Sequence, residues 1–331
     1  MGYRFQTSSK INSLTKLLDQ QSFFIQQFPL TSAQSQNIRR SSTLKSSLFS
    51  ARIEGNLLTL DQVTIEPIGT TRDLQKLEVT NILTALNYIY SSRPPQKLTT
   101  NLIQTLHNYV INHISPTAGR FRTEQTAIFN QAGVAVFLTP PPDIMHRQLR
   151  QFIQDANTSG LNLYIQTAIT HYTFEKIHPF VDGNGRVGRL ITQFQLDRAG
   201  KRFKGLLAFE EQIDHFRSEY YSLLQQDTND ITAFIEFFLE TLSLSAKQSI
   251  NALKSTSNPS PLDSMLPRRK EIYFLIKDHQ YLSFDQIHRR FMAVNQSTLR
   301  YDLTQLIKQG LIHKLGSTKG VLYSPKPEST I

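Results

Sequence analysis

Apolar residues along this chain recur mostly three and four positions apart, and strict alternation with polar residues is confined to short stretches. A spacing of three and four places side chains on one face of an α-helix, so the pattern predicts a mainly α-helical protein. Shorter helical pieces are predicted before residue 69, and a helix resumes at His146. The longest predicted helices cover residues 70–92, 98–112, 161–177 and 228–253.

A different pattern occupies residues 121–138, where strand-forming residues flank a Gln-Ala-Gly turn in "TAIFNQAGVAVFL". This arrangement predicts a small β-hairpin. The hairpin ends at "TPPPD", because three consecutive prolines cannot supply the N–H groups that a strand ladder needs.

A segment rich in serine and proline, "KSTSNPSPLDS" at residues 254–264, indicates a linker. It separates a compact C-terminal domain at residues 265–331 from the rest of the chain. The part before the linker is interpreted as an N-terminal helical region at residues 1–97 and a larger core at residues 98–253.

The C-terminal domain shows a pattern of three short helices and a hairpin around Gly316–Gly320, and it resembles a winged helix-turn-helix domain. Its longer helix has an inward apolar face made of Leu299, Leu303, Leu306 and Ile307. The opposite face, made of Gln296, Ser297, Arg300 and Tyr301, would meet a groove or a partner. Both DNA binding and a protein-docking or dimerisation role stay open.

Composition narrows the range of partners. The chain carries 36 Lys and Arg against 26 Asp and Glu, and this net charge of +10 favours nucleotides, nucleic acid or acidic protein surfaces. It contains no cysteine, so disulfide, thiolate and zinc–cysteine chemistry are excluded. No apolar segment follows the first residues and no apolar run approaches ~18 residues. We therefore expect a cytoplasmic protein without a secretory signal or a membrane span.

The densest set of reactive residues is "KIHPFVDGNGRVGRL", residues 176–190. Gly183 and Gly185 allow backbone angles that other residues avoid, and they let the chain approach a ligand closely. Helical periodicity begins near Gly185, and a glycine-rich turn before a helix N-terminus directs free N–H groups and a positive dipole outward. Arg186 and Arg189 project from the same side of the first turn. These features predict a site for phosphate groups.

Two further side chains suit chemistry at this site. Asp182 stays ionised among these positive charges and is well placed to hold Mg²⁺ beside a phosphate. His178 can accept a proton from an incoming hydroxyl near neutral pH. The combination indicates phosphoryl or nucleotidyl transfer. A metal cluster of His171, His178 and Asp182 is an alternative, but it leaves the glycines and arginines without a use.

Residues 178–189, "HPFVDGNGRVGR", match every specified position of H-x-F-x-[D/E]-G-N-G-R-x-x-R, the signature of Fic-domain proteins. The chain resembles this family from about Ser46 to about Glu240. The resemblance implies a Fic-type helical bundle with a small β-hairpin flap. It also implies a protein adenylyltransferase, which moves AMP from ATP to a Ser, Thr or Tyr hydroxyl of a target protein with the help of Mg²⁺.

The same resemblance implies a role for each signature residue. His178 would deprotonate the target hydroxyl, Asp182 would coordinate Mg²⁺, and Phe180 would anchor the loop in the core. Arg186 would hold the inner phosphates and Arg189 the γ-phosphate. The anion hole around the α- and β-phosphates would consist of Gly183, Asn184 and Gly185.

"SARIEG", residues 50–55, resembles the family's inhibitory motif, [S/T]-x-x-x-E-[G/N]. Ser50 and Glu54 are four residues apart and share a helix face, and Gly55 is a natural helix stop. The resemblance implies an ion pair between Glu54 and Arg189 that blocks the seat of the γ-phosphate. The enzyme would then be autoinhibited by an N-terminal helix.

The predicted hairpin is similar to the family's flap, which docks a target segment by strand addition. The docking residues would be Ile128, Phe129 and Asn130. "GRFRTEQTAIFN" resembles the family's lead-in, with Arg122 at its usual arginine. The sequence departs from the family after Ile128, where Phe129-Asn130 replaces two glycines, so the resemblance does not extend to the flap's geometry.

Several alternatives stay open at this point. One is a DNA-binding regulator whose Fic domain senses ATP, and another is transfer of a different nucleotide or phosphate-linked group, such as UMP or phosphocholine. The target protein is not implied by the sequence, and self-modification and a homodimer remain among the options. Whether Glu54 also supports removal of AMP from the target is equally open.

Overall fold

The computed structural model describes residues 2–65, 73–91, 95–129, 135–158, 160–198, 200, 203–226, 228–257, 265–292, 294–316 and 320–326. The chain forms two compact units, residues 1–253 and residues 254–331. Across the described ranges, none of the helices combines the length and the hydropathy that crossing a membrane requires.

The first unit is built almost entirely from helices, and this content confirms the predicted mainly helical fold with a small sheet. The helices that begin in it are α1 (Ser9–Gln27), α2 (Ser32–Ile53), α3 (Leu60–Ile65), α4 (Leu74–Ile89), α5 (Thr100–Val110), α6 (Pro142–Thr158), α7 (Leu163–Ile177), α8 (Asn184–Arg198), α9 (Phe209–His215), α10 (Arg217–Gln225) and α11 (Thr232–Ser257). Its strands are β1 (Ala127–Phe129) and β2 (Ala135–Leu138).

The two N-terminal helices are longer than the short pieces that the sequence pattern predicts. Helix α2 spans 22 residues although its apolar positions are sparse. A reciprocal capping box between Thr31 and Gln34 closes its N-terminus. It packs against α4 and α9 and buries the small side chains of Ser46, Ser47 and Ser50. Tertiary packing rather than an apolar stripe therefore stabilises this helix.

Helices α7 and α8 form the centre of the first unit. They pack against each other, and most residues of both are buried. Val187 and Ile191 of α8 join a hydrophobic cluster with α4 and α5, while Tyr164 and Tyr172 of α7 join a second cluster with α1 and α11. Because both helices are enclosed by close-packed neighbours, the loop between them has a fixed position in the fold.

The hairpin contains a register irregularity next to its tip. Ala127 lies opposite Leu138 and Ile128 lies opposite Phe137, but the register shifts before Phe129, which pairs with Ala135. Such a bulge bends the strand and redirects its side chains. Asn130, which the sequence places in the docking segment, lies outside the described residues.

Several helix boundaries differ from the predicted ones, and three of these differences are informative. Helix α6 begins at Pro142 rather than His146, because the last proline of "TPPPD" occupies the first helical position, which its fixed φ suits. Helix α8 begins at Asn184, one residue before the predicted start. Helix α11 begins at Thr232 and continues to Ser257, so the first residues of the predicted linker are helical.

The second unit contains helices α12 (Pro267–His279), α13 (Phe284–Arg290) and α14 (Gln296–Lys308). Its strands β3 (Leu282–Ser283), β4 (Ile312–Leu315) and β5 (Leu322–Pro325) form an antiparallel sheet in the order β3-β5-β4. On α14, Leu299, Leu303 and Leu306 are buried, and Ile307 packs partly buried against them. The opposite face, with Gln296, Ser297, Arg300 and Tyr301, is exposed.

A buried acidic residue ties α14 to α12. The Asp302 side chain is inaccessible to solvent, and its two oxygens accept hydrogen bonds from Nε of Arg268 at 2.6 Å and Nε of Arg269 at 2.7 Å. Two charge-assisted bonds satisfy a group that would otherwise be costly to bury.

Candidate active site

His178 follows directly after α7 and has a left-handed backbone conformation, with φ +48°. Its N–H closes the helix by donating to the Phe174 carbonyl at 3.0 Å. Its ring Nδ1 lies 3.2 Å from the Glu175 carbonyl, which can only accept, so Nδ1 carries the proton. Burial lowers the pKa of His178 to about 4. The neutral ring therefore keeps a lone pair on Nε2, as a general base requires.

The loop after His178 is anchored by Phe180, which is fully buried. The Asn184 side chain brackets the Phe180 backbone, accepting from its N–H and donating to its carbonyl, each at 2.9 Å. Gly183 has φ +81°, and a Cβ at this position would lie 3.2 Å from Cγ2 of Ile111. The glycine is thus needed for both its backbone angle and its close approach to α5.

Asp182 is the exposed acid of this loop, with a side chain 60% exposed. Both of its oxygens accept hydrogen bonds from Nη2 of Arg186, at 2.9 and 3.0 Å, and Oδ1 also accepts from the Gly183 N–H at 2.6 Å. Arg186 itself is 4% exposed, and its Nη1 lies 3.4 Å from Glu78. In this arrangement the Arg186 guanidinium is held by two carboxylates.

The residues around Asp182 fit a metal ion that is shared with a bound phosphate. No group of three or more His, Cys, Asp or Glu residues that could hold a metal occurs in the described part of the chain. Mg²⁺ commonly binds through one or two carboxylates together with substrate phosphates and water. A single solvent-accessible carboxylate at the mouth of a helix therefore suits Mg²⁺ only when a polyphosphate supplies further oxygens.

Arg189 is buried, with 1% of its surface exposed. Its Nε donates to Oγ of Ser50 at 3.0 Å, and its Nη2 donates to the Ser50 carbonyl at 2.9 Å and to Oε1 of Glu54 at 2.7 Å. Nη1 has no hydrogen-bond partner among the described residues. Glu54 is the C-cap of α2 rather than part of its last turn, and Gly55, with φ +104°, follows it.

The Glu54 carboxylate lies directly over the first turn of α8. A Cβ at Gly185 would be 2.4 Å from Oε1 of Glu54 and 3.1 Å from Nη1 of Arg189. The absence of a side chain at Gly185 is what leaves room for the carboxylate.

These residues surround a cavity of about 750 Å³, a volume within the range of small-molecule sites. Its walls come from α2, α7, α8, α10 and the hairpin. The lining residues are Ile53, Glu54, Gly55, Ile128, Phe137, Glu175, Lys176, His178, Gly185, Arg189, Arg217, Ser218, Tyr220, Tyr221, Leu224 and Gln225.

Glu175 is a buried acid in the wall of this cavity, 9% exposed. Its Oε1 has no hydrogen-bond partner among the described residues, and a Cβ at Gly188 would lie 2.3 Å from it. Burial raises the pKa of Glu175 to about 8, so the side chain is a neutral acid at neutral pH. A neutral wall does not repel a bound polyphosphate.

Comparison with known proteins finds similarity in the central part of the chain. Residues 97–196 match the Fic/DOC family. The chain is 32% identical over 204 residues to the protein adenylyltransferase Fic of Drosophila virilis, and 31% identical over 199 residues to that of Nematostella vectensis. These matches cover 58% and 56% of this chain but 39% and 43% of the relatives, so the chain spans less than half of their length.

Solved structures show the same fold. A Fic family protein from Desulfovibrio desulfuricans G20 aligns over 99% of both chains with a TM-score of 0.69 and 21% identity. Fic-1 from C. elegans aligns over 75% of this chain and 72% of that chain, with a TM-score of 0.59 and 23% identity. The Fic fold is therefore shared across the first unit.

The region that matches the Fic/DOC family and α2 bring several of the predicted site residues to one cavity. His178, Gly185, Arg189, Glu54 and Ile128 all line it. Ser50 lies behind Arg189, while Asp182, Gly183, Asn184 and Arg186 form the adjoining turn. Phe129 contributes its backbone to β1.

His171 does not join this set. It is 1% exposed, its Nε2 lies 2.8 Å from the Tyr220 hydroxyl, and its Nδ1 lies 3.2 Å from Oγ1 of Thr192. Burial lowers the pKa of His171 to about 3. It is a structural histidine of the Fic domain core, and the alternative metal cluster with His178 and Asp182 is not formed.

Two site residues escaped the sequence analysis. Glu175 lies just before the signature, where nothing in the pattern separates it from a surface glutamate. His107 occupies the apolar face of α5 beside Ile103, Leu106 and Val110. A polar residue at a position where helical periodicity requires an apolar one is the signal that could have found it.

Proposed function

We propose that this chain is a protein adenylyltransferase that transfers AMP from ATP to a hydroxyl of a target protein. One observation carries the proposal: His178, Gly185 in the first turn of α8 and Arg189 line a single cavity. A base, a helix N-terminus and a fixed cation are the elements that phosphoryl and nucleotidyl transfer use.

The reaction follows from this placement. The target hydroxyl oxygen would attack the α-phosphorus of ATP while Nε2 of His178 takes its proton. The bond from the α-phosphorus to the bridging oxygen would break, and the bond electrons would leave with pyrophosphate. The N–H groups of Gly183, Asn184 and Gly185 would donate hydrogen bonds to the phosphate oxygens, and the Arg189 guanidinium would bind the γ-phosphate once Glu54 no longer holds it. Asp182 would hold Mg²⁺, which neutralises phosphate charge when it is bound.

Arg186 would have to exchange its binding partners during the proposed reaction. It is bound to Asp182 and Glu78, so its contact with the inner phosphates would require exchange of a carboxylate for a phosphate. Since Mg²⁺ would draw the Asp182 oxygens, the two events would occur together.

We further propose that Glu54 inhibits the enzyme. Its carboxylate is 2.7 Å from Nη2 of Arg189 and covers Gly185, the region where the terminal phosphates would lie. Arg189 cannot be held by Glu54 and by a phosphate at the same time. Removing the Glu54 carboxylate would leave Arg189 free to bind a phosphate and would open the space over Gly185.

The hairpin would dock the target segment. Ile128 and Phe137 are cross-strand partners, and both line the cavity. Arg122 fixes the base of the hairpin, because its guanidinium donates to the carbonyls of His178 at 2.8 Å and of Pro140 at 2.5 Å. An extended target segment added along Ile128 and Phe129 would therefore lie beside His178.

The test is incorporation of AMP into protein. Glu54→Gly, incubated with ATP and Mg²⁺ alone and with cell lysate, should yield proteins whose intact mass increases by one AMP. The double variant Glu54→Gly/His178→Ala is the matched control and should yield none. Parallel reactions with UTP, CTP and GTP show whether another nucleotide is preferred. If Glu54→Gly modifies nothing with any nucleotide, the proposal is wrong.

A second role is favoured for the C-terminal unit. Residues 254–331 carry 12 Lys and Arg against 6 Asp and Glu, which is most of the net charge of +10. The element order, the exposed face of α14 with Arg300, and the exposed Arg289 and Arg290 of α13 support a winged helix-turn-helix domain that contacts DNA.

This role predicts salt-dependent binding to duplex DNA, measured by fluorescence anisotropy. Replacement of Arg289 and Arg290 by alanine should weaken the binding and reduce its salt dependence. Absence of binding at low salt would leave a protein-docking role for this unit.

A further inference from the structure

His107 of α5 is buried completely beneath the signature loop. Its ring stacks on Phe180, with centroids 3.6 Å apart and planes 8° from parallel. Nδ1 lies 2.9 Å from the Gly119 N–H, and Nε2 lies 3.0 Å from the carbonyl oxygen of Asp182. A single side chain therefore joins α5, the segment after it and the loop that carries Asp182.

The two hydrogen bonds define the protonation of the ring. The Gly119 N–H can only donate, so Nδ1 is the acceptor. The Asp182 carbonyl can only accept, so Nε2 carries the hydrogen and donates it. The neutral tautomer with the proton on Nε2 satisfies both contacts at once.

The hydrogen bond from Nε2 of His107 to the Asp182 carbonyl, called the clamp below, holds the backbone of the proposed metal ligand Asp182. The Asp182 side chain is 60% exposed, so its position is set by its backbone and by its hydrogen bonds to Arg186 and the Gly183 N–H rather than by packing. Next to it, a Cβ at Gly183 would lie 3.5 Å from Cδ2 of His107 and 3.2 Å from Ile111. The loop backbone at Asp182 and Gly183 is thus held against α5.

We propose that His107 is a positioning residue for metal binding, which fixes the Asp182 carbonyl and so directs the Asp182 carboxylate toward the ion that accompanies the nucleotide. This inference rests on the proposed function of the site. Residues that orient a metal ligand commonly alter metal affinity by about 10- to 100-fold when they are replaced.

Two substitutions separate the two hydrogen bonds. In His107→Gln the side-chain nitrogen can reach the place of Nε2 and keep the bond to Asp182, while the bond to Gly119 is lost. In His107→Asn the side-chain oxygen can take the place of Nδ1 and keep the bond to Gly119, while the clamp on Asp182 is lost. Each variant loses one hydrogen bond and the ring stacking, so the pair is matched for stability. His107→Phe keeps the stacking and loses both bonds.

The experiment has two readouts, both in the Glu54→Gly background. The first is amide hydrogen exchange of residues 180–185 in the protein without nucleotide or metal. The second is the Mg²⁺ concentration at half-maximal AMP transfer, measured at saturating ATP. We expect His107→Asn and His107→Phe to exchange faster in this loop and to need about tenfold more Mg²⁺. His107→Gln should stay within about threefold of the parent on both readouts.

Equal effects of His107→Asn and His107→Gln on both readouts would overturn the inference. If His107→Asn does not fold, the comparison of His107→Phe with His107→Gln decides in the same way. The exchange measurement contains no nucleotide, so it tests the clamp even if the protein transfers no AMP. A failure of the proposed function and a failure of this inference are therefore distinguishable.

Discussion

Oε1 of Glu54 and Nη2 of Arg189 are 2.7 Å apart although 135 residues separate them in the chain. The carboxylate is 32% exposed and the guanidinium is buried, so the acid covers the cation from the cavity side. A phosphate that enters this cavity must compete with an anion already in place.

The first prediction concerns this competition. Glu54→Gly should increase the rate of AMP transfer at least about tenfold, because the negative charge and the bulk that oppose the γ-phosphate are both removed. Glu54→Gln is the matched variant: it keeps the side-chain shape but loses the charge, and it should give an intermediate rate. The rates are measured with radiolabelled ATP. A Glu54→Gly rate equal to that of the wild type would exclude inhibition by this residue.

The second prediction concerns Gly185. A methyl group there would lie 2.4 Å from the position of Oε1 of Glu54, and this is the space that we assign to phosphate. In the Glu54→Gly background, Gly185→Ala should therefore weaken ATP binding at least about tenfold, as measured by calorimetry. The added Cβ would also lie 3.1 Å from Nη1 of Arg189, so the free energy of unfolding is measured in parallel to separate a loss of affinity from a loss of stability. Unchanged ATP affinity would place the phosphates elsewhere.

The third prediction is a pH dependence of stability. Burial raises the pKa of Glu175 from 4.5 to about 8, so the unfolded chain releases this proton at a lower pH than the folded chain. The contribution of Glu175 to the free energy of unfolding is therefore full below pH ~4.5, falls as the pH rises, and is lost once the pH passes ~8. The loss should be on the order of a few kcal/mol.

Glu175→Gln removes this titration and keeps the shape of the neutral acid. Urea unfolding at pH 5, 7 and 9 should show the wild type close to the variant at pH 5 and well below it at pH 9. Burial also raises the pKa of Glu210, to about 7, but Glu210 is present in both proteins and cancels in the difference. Parallel pH profiles for the two proteins would contradict a neutral Glu175.

The fourth prediction concerns the support of the hairpin. Nζ of Lys176 lies 4.6 Å from the centre of the Phe137 ring on β2 and donates to the Gln226 carbonyl at 3.4 Å. A cation over an aromatic face contributes about 0.5–2 kcal/mol. Lys176→Met keeps the apolar stem without the charge, so amide exchange of Ala135–Leu138 should become severalfold faster. Lys176→Arg keeps the cation, so its amide exchange at Ala135–Leu138 should match that of the wild type. If both variants exchange like the wild type, Lys176 does not stabilise the hairpin.

Much of the candidate site could be predicted from one short stretch of the sequence. The glycines, the arginines and His178 lie within twelve consecutive residues, and the geometry of a helix N-terminus follows from that local order. The resemblance of residues 50–55 to the family's inhibitory motif added the ion pair of Glu54 with Arg189 as an expectation. Local spacing alone could not do so, because the two residues belong to separate helices.

The N-terminal helices illustrate where the sequence pattern fails. Helix α2 carries few apolar residues and many serines, so periodicity predicts only short helical pieces. Ser46, Ser47 and Ser50 are buried against other helices, and the hydroxyls of Ser42 and Ser50 make hydrogen bonds with Leu206 and Arg189 respectively. Those contacts exist only after the chain has folded around α2.

By itself, the sequence determined the helical character of the chain and the signature loop for which we propose nucleotidyl transfer, because these depend on residues close together in the chain. The tertiary structure decided that Glu54 rests over Gly185, that Glu175 is buried as a neutral acid and that His107 holds the Asp182 carbonyl. Burial and contacts between distant segments set these properties, and neither is encoded in the order of neighbouring residues.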